Sequence, residues 1–256
     1  MKVLGVIPAR YGSSRFPGKP LAMIGGKTMI RRTYEQVLKS SLDAVVVATD
    51  DQRILDEVLG FGGRAVMTRT DHRSGTDRCN EALEHCAEGC DGFNMGGFGA
   101  VVNIQGDEPF IDPRQIDQVA TLIRRDDTAI ATLARKITDP AMLDNPNVVK
   151  VVFGLQGNAL YFSRHPLPFV RGAERGEWLS QADYHQHIGI YAYKSEVLRA
   201  IADMAPGRLE QAESLEQLRW LENGLSIRVA VTDIPNTIAI DTPDDLLSIP
   251  QELLLC

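Results

Sequence analysis

Apolar residues in this chain fall into short uninterrupted blocks and into stretches with helical spacing, and the two kinds alternate. Val3, Leu4, Val6 and Ile7 form a block that Pro8 ends, which reads as a buried strand opening into a loop. Ala44-Val45-Val46-Val47-Ala48 is a second block of the parallel-strand type. Ala65-Val66-Met67 and Ala100-Val101-Val102-Asn103-Ile104-Gln105 are a third and a fourth. Between them a tight turn is expected at 23–27, and Met29, Ile30, Tyr34, Val37 and Leu38 recur at helical intervals. Thr49-Asp50-Asp51 caps a helix over 54–59, and a further helix over 79–86 has Ser74 or Thr76 as its cap. Strands and helices in this order predict an α/β chain.

The second half is more varied. An amphipathic helix is predicted over 116–123, a strand over 129–134, and paired strands over 150–153 and 159–164 around a turn at 154–158. Residues 185–193 alternate, with Ile188, Ile190 and Ala192 on one face and His187, Gly189, Tyr191 and Tyr193 on the other. An inward aliphatic face would then present His187 and Tyr191 to a cleft. Residues 213–222 read as one helix, with Leu215, Leu218 and Leu221 opposite a polar face of Glu213, Glu216 and Gln217 that is solvated by default. A strand follows over 227–231, and residues 237–241 read as a strand running into a helix with Thr242 as cap and Pro243 in its first turn. The glycine-rich stretch 89–99 reads as a surface excursion, and 166–183 as a mobile loop or partner contact.

The 256 residues are 44% hydrophobic and 24% charged, enough apolar material for a full core in a soluble globular chain. A formal net charge of −7 argues against a generally basic nucleic-acid surface, so any phosphate ligand must be held by local cations. The apolar run before Arg10 is too short for a secretory signal and no window reaches the length of a membrane span, so a cytoplasmic chain is expected. Cys79, Cys86, Cys90 and Cys256 lack C-x-x-C spacing, and reduced, incidental thiols are expected.

Local cations of the required kind follow the first strand directly, where α/β sheets place their ligands. Arg10, Arg15 and Lys19 share one Gly- and Ser-containing loop, in which close backbone approach and fixed positive charge suit a triphosphate. The spacing is not that of a Walker A loop, and no G-x-G-x-x-G follows the strand. The fourth apolar block delivers Gly106-Asp107-Glu108-Pro109 to its own carboxyl end. Carboxylates there either cap the helix near Pro113 or provide the few hard oxygen ligands that magnesium needs beside a triphosphate.

Several motifs, taken in order, carry a resemblance. They are I-P-A-R-Y-x-S-x-R-x-P-G-K-P-L from Ile7, S-G-T-D-R from Ser74, Q-G-D-E-P from Gln105, Y-F-S-R from Tyr161, H-x-G-I-Y-x-Y from His187, L-E-Q-L-R from Leu215 and D-T-P-D-D from Asp241. Together they resemble the CMP-sugar synthetases, most closely the 3-deoxy-manno-octulosonate (KDO) cytidylyltransferases that make CMP-KDO. The likeness implies a Rossmann-like, three-layer nucleotide-diphospho-sugar transferase fold, α/β with a mostly parallel central sheet and a small additional sheet region. It implies one domain over 1–256, with 151–224 as a sugar-binding and dimerisation subregion.

The implied activity is transfer of CMP from CTP to KDO for lipopolysaccharide biosynthesis, with release of pyrophosphate, by a cytoplasmic homodimer that uses Mg2+. By the same likeness Pro8, Ala9, Arg10, Ser14, Arg15, Lys19, Arg78 and Gln105 bind the nucleotide. Arg10, Lys19, Asp107 and Asp241 form the catalytic set, with both aspartates holding the metal. Gln105, Arg164, His187, Tyr191, Glu216 and Gln217 contact the sugar, Arg164 at its carboxylate, where the arginine fork fits. Neither nucleic acid nor membrane is an implied partner. The alternatives are a cytidylyltransferase for sialic acid or an 8-amino analogue of KDO, and a nucleotide-binding protein without turnover. The 89–99 excursion and the 250–256 tail have no counterpart in the likeness.

Overall fold

The computed structural model describes residues 1–12, 15–88, 97–235 and 238–254; Ser14, Thr237, Cys90, Cys256 and most of the 89–99 excursion lie outside the described residues. The first half runs β1 (Val3–Ala9), β2 (Met23–Ile24), β3 (Lys27–Thr28), α1 (Met29–Val37), β4 (Ala44–Thr49), α2 (Gln52–Gly60), β5 (Ala65–Met67), α3 (Gly75–Glu88), β6 (Ala100–Asn103) and α4 (Pro113–Ile123). The second half runs β7 (Ile130–Lys136), α5 (Pro140–Asp144), β8 (Lys150–Phe153), β9 (Ala159–Ser163), α6 (Trp178–Gln181), β10 (His185–Lys194), α7 (Ser195–Ala202), α8 (Arg208–Glu213), α9 (Gln217–Glu222), β11 (Ile227–Val231) and α10 (Gln251–Leu254).

Helix entrances follow local chemistry. Thr28, Asp51 and Asp112 each accept a hydrogen bond from the backbone N–H of Arg31, Arg53 or Arg114, and Pro113 fills the first turn of α4. At α3 the cap is Ser74, whose hydroxyl accepts from the Asp77 N–H at 3.2 Å.

The main sheet runs β11-β7-β10-β6-β1-β4-β5, with β8 and β9 attached at the side of β10. β1 pairs in parallel with β4 and β6, and β4 with β5; β10 alone on this path runs antiparallel to its neighbours β6 and β7. Strands buried on both faces need apolar residues at every position, which is why β4 is buried throughout its six residues. One core layer lies under α1, α2 and α4, around Ile30, Val37, Ile54, Val58, Ile116 and Val119. The other lies under α3, α7 and α9, around Leu83, Leu198, Ile201, Leu218 and Trp220. Each fully buried Leu or Ile in these layers contributes about 1.5–3 kcal/mol. The result is a three-layer α/β architecture, with β2 and β3 as a separate two-stranded sheet.

Four expectations change. Residues 213–222 are not one helix: Ser214 takes a left-handed conformation (φ 52°), which ends α8 and turns the chain before α9 begins. Residues 238–241 form no strand; they run beside the Asp107 turn, held there by the Ile240 N–H to Asp107 carbonyl bond of 2.9 Å. Beyond them Pro243–Ser248 is a 3-10 helix, with the Asp245 carboxylate accepting from the N–H groups of Asp241 and Thr242. Finally, Tyr191 does not stand open to a cleft: Trp220 of α9 packs edge-on against it at 5.1 Å, and the residue is 7% exposed.

A small satellite core gathers Ile24, Met29, Phe110, Ile240 and Ile249, with Phe16, Leu246, Leu253 and Leu254 packed against it. It lies where the loop after β1, the turn after β6 and the C-terminal segment meet.

Candidate active site

A cavity of about 280 Å³ opens at the carboxyl ends of β1 and β6. Pro8, Ala9 and the exposed Arg10 reach it from the end of β1, Arg15 and Lys19 from the loop that follows, Gln105, Gly106 and Asp107 from beyond β6, and Asp241 from the C-terminal segment. The two strand ends approach closely: a Cβ on Gly106 would stand 2.9 Å from the Pro8 carbonyl oxygen, a place only glycine can take.

Lys19 is the electrostatic centre. Its ammonium donates to Asp107 Oδ2 at 2.8 Å, to the Ile240 carbonyl at 2.9 Å and to Asp241 Oδ1 at 3.4 Å. Arg15, at the surface, forks onto the same Asp241 with distances of 3.1 and 3.3 Å. Two aspartates separated by most of the sequence thus share one cation. That convergence is the donor set a magnesium ion needs, because a few carboxylate oxygens suffice when phosphates and water complete the octahedron. Among the described residues no group of three or more His, Cys, Asp or Glu side chains forms a closed metal cage.

Arg78 lies deeper. Its guanidinium donates to Asp50 Oδ2 at 2.7 Å and to the Thr68 hydroxyl, so this cavity-lining cation is already ion-paired. Sequence reasoning took Arg78 from the S-G-T-D-R motif but passed over Ser74 and Gly75 of the same motif, which line the cavity at the start of α3. His72 and Arg73 line it too, and the His72 ring meets Glu81 in a very short contact. The signal for this group was the polar run before α3.

The residues expected at the sugar form a second group. Thr76, next to Gly75, donates its hydroxyl to Glu216 Oε2 at 2.8 Å, which sets Glu216 one residue from the nucleotide cavity. Glu216 is half-buried, and burial raises its carboxyl above the usual range. Gln217 is buried beside it. In β10, the pairing slips between Ile188 and Tyr191, a bulge that turns the Gly189 carbonyl toward the Gln105 amide at 3.4 Å.

His187 packs between Phe162 and Tyr191, with ring centroids at 5.1 and 5.2 Å, and its Nε2 meets the Thr132 hydroxyl at 3.1 Å. Burial pulls its pKa down to about 3, so the imidazole is neutral at ordinary pH. Arg164 does not line the cavity. Its guanidinium donates to the carbonyls of Glu213 (2.6 Å), Pro146 (3.0 Å) and Ser214 (3.3 Å).

The cytidylyltransferase family model matches residues 4–227. A 3-deoxy-manno-octulosonate cytidylyltransferase of Bacteroides thetaiotaomicron is 54% identical over 249 residues, 96% of each chain, and one of Thermodesulfovibrio yellowstonii is 46% identical over 252 residues, also 96% of each. Among solved structures, a CMP:2-keto-3-deoxy-manno-octonic acid synthetase complexed with CTP superposes with a TM-score of 0.85 at 41% identity, covering 100% of this chain and 98% of that one. A cationic turn after the first strand, two converging aspartates and these likenesses agree: the chain belongs to the cytidylyltransferase family, within its 3-deoxy-manno-octulosonate branch.

Proposed function

We propose that this chain transfers CMP from CTP to 3-deoxy-manno-octulosonate, giving CMP-KDO and pyrophosphate, with Asp107 and Asp241 as the carboxylates that hold magnesium. The observation that carries the metal assignment is the meeting of both carboxylates at the Lys19 ammonium, inside a cavity that Arg10 and Arg15 also line.

The sugar's anomeric hydroxyl attacks the α-phosphorus in line as the bond to the β-phosphate breaks, a reaction that asks the protein for positioning and charge neutralisation. Arg10, Arg15 and Lys19 offset the charge gathering on pyrophosphate. Magnesium, when bound, supplies charge neutralisation on the triphosphate and lowers the pKa of the attacking hydroxyl. Pro8, Ala9, Arg78 and Gln105 frame the rest of the nucleotide, and Ser14 belongs to the same loop. On the sugar side, Glu216, Gln217, Gln105 and the neutral His187 orient hydroxyls, while Tyr191, covered by Trp220, supports the His187 ring at 5.2 Å. Three of Arg164's five N–H donors go to the carbonyls named above, which leaves two for the sugar carboxylate.

The product feeds lipopolysaccharide assembly, and the enzyme works as a cytoplasmic homodimer whose subregion 151–224 binds sugar and partner. Support for the partner contact comes from Leu155, Leu160 and Phe169, large apolar side chains at 106%, 66% and 72% exposure within that subregion. Among the described residues no helix is long and apolar enough to cross a membrane. A pyrophosphate-release assay across nucleotides and sugar acids tests the proposal: CTP with KDO and magnesium is expected to give the highest rate. A faster reaction with another sugar acid, or none with any, would overturn it.

A further inference from the structure

Residues 250–254 of the tail, which no motif explained, dock through a buried arginine beside the satellite core. Arg32 of α1 is 5% exposed, and its guanidinium donates to the carbonyls of Ile24 (2.6 Å), Gly25 (3.3 Å), Leu253 (3.1 Å) and Leu254 (2.9 Å). The same guanidinium lies 5.8 Å from the centre of the Phe110 ring, three residues after Asp107. Gly25 confirms how tight this docking is. A Cβ there would stand 2.4 Å from the Leu254 carbonyl oxygen, and its φ of +54° favours glycine independently.

The tail packs in the satellite core with the segment that carries Asp241. Residues 238–241 have no strand pairing; they are held by the Ile240 N–H to Asp107 bond, the Lys19 bond to the Ile240 carbonyl, the Asp245 carboxylate on the Asp241 N–H, Arg15 and Lys19 on the Asp241 carboxylate, and the packing of Ile240 with Ile249, Leu253 and Leu254 in the satellite core. Arg15 and Lys19 hold the Asp241 carboxylate locally, and the tail fixes the far end of the segment that presents it.

We propose that Arg32 is a positioning residue of the active site: by clamping Leu253 and Leu254 to the β2–β3 turn, it fixes the 238–254 segment and so sets the Asp241 carboxylate opposite Asp107 for the metal. This inference rests on the proposed metal role of Asp241. It assigns Arg32 no contact with substrate; its influence passes wholly through the segment it holds.

The test is calorimetric binding of CTP, without sugar, in magnesium chloride and again in chelator, for Arg32→Met, Gly25→Ala and Asp241→Asn, with thermal melts as the check on folding. Gly25→Ala keeps the Arg32 cation but sets a methyl 2.4 Å from the Leu254 carbonyl oxygen and 2.5 Å from the Arg32 guanidinium, so it loosens the same clamp by crowding. Both Arg32→Met and Gly25→Ala are expected to weaken magnesium-dependent CTP binding about tenfold, the scale at which supporting groups tune metal sites, while changing metal-free CTP binding less than about twofold. Added to Asp241→Asn, neither should weaken binding further. Equal weakening with and without magnesium, or a loss that persists in the Asp241→Asn background, would show a merely structural role and overturn the inference. The two readings fail separately. An Asp241→Asn variant with undiminished magnesium dependence sinks the metal assignment, whereas a weakened Asp241→Asn beside unaffected Arg32→Met and Gly25→Ala sinks the positioning role alone.

Discussion

The Lys19 ammonium donates to the Asp107 carboxylate at 2.8 Å, across 88 residues of sequence, with the lysine side chain only 13% exposed. One loop's cation therefore neutralises the carboxylate that the next strand over delivers; in the proposed function the lysine meets the triphosphate and the aspartate the metal. Replacing Asp107 by Asn keeps the volume and removes the charge. Turnover at saturating magnesium is expected to fall at least about a thousandfold, as for loss of a principal electrostatic group, while circular dichroism and the melting temperature remain close to the parent. A fully active variant would contradict the metal role.

The buried pair behind the cavity answers to stability first. Arg78 and Asp50 side chains are 5% and 16% exposed and meet at 2.7 Å. Arg78→Met leaves the Asp50 charge in low-dielectric surroundings, at a cost of about 3–5 kcal/mol. Urea denaturation should show that loss, and the double variant with Asp50→Asn should recover part of it. A loss under about 1 kcal/mol would mean that Asp50 finds water instead.

Much of this arrangement was legible in the sequence, for a physical reason. Strands buried on both faces write uninterrupted apolar blocks, so β1, β4 and β6 stood out, and with them the loop bearing Arg10, Arg15 and Lys19 and the turn bearing Asp107. Where local pattern and backbone geometry part, the reading failed. The leucine spacing over 215–221 ran on smoothly while Ser214, at φ 52°, broke the helix before it. The apolar run Ile238-Ala239-Ile240 suggested a strand, but Ile238 and Ile240 serve the satellite core instead. Contacts such as Thr76 with Glu216, 140 residues apart, belong to tertiary approach and leave no mark in local spacing.

That contact makes a clean separation of the two substrates possible. Glu216→Gln retains an oxygen for the Thr76 hydroxyl and removes the charge. The KM for KDO is expected to rise about tenfold, the equivalent of one weakened charge-assisted hydrogen bond, with CTP affinity by calorimetry unchanged. If CTP binding weakens equally, Glu216 shapes the nucleotide cavity through α3 and does not read the sugar.

His187 makes acid sensitivity measurable at one residue. Its folded pKa, pulled down by burial to about 3, lies below the ordinary value of 6.5. Between those two values the unfolded chain binds a proton that the folded chain does not, so stability rises with pH across that window and is lost as pH falls below 6.5. Above it both states carry neutral imidazole and His187 contributes no slope. The dependence approaches about 1.4 kcal/mol per pH unit for a single group. Buried carboxylates titrate nearby, Glu216 with the opposite sign because burial raises its pKa, so the measurement must be a difference. Urea denaturation of the parent and of His187→Gln at pH 5 to 7 should show the variant losing less stability on acidification, with the difference between them becoming independent of pH above about 6.5. Parallel curves would mean that the imidazole is hydrated and titrates in the folded protein, which would also remove the case for a neutral hydrogen-bonding partner at the sugar.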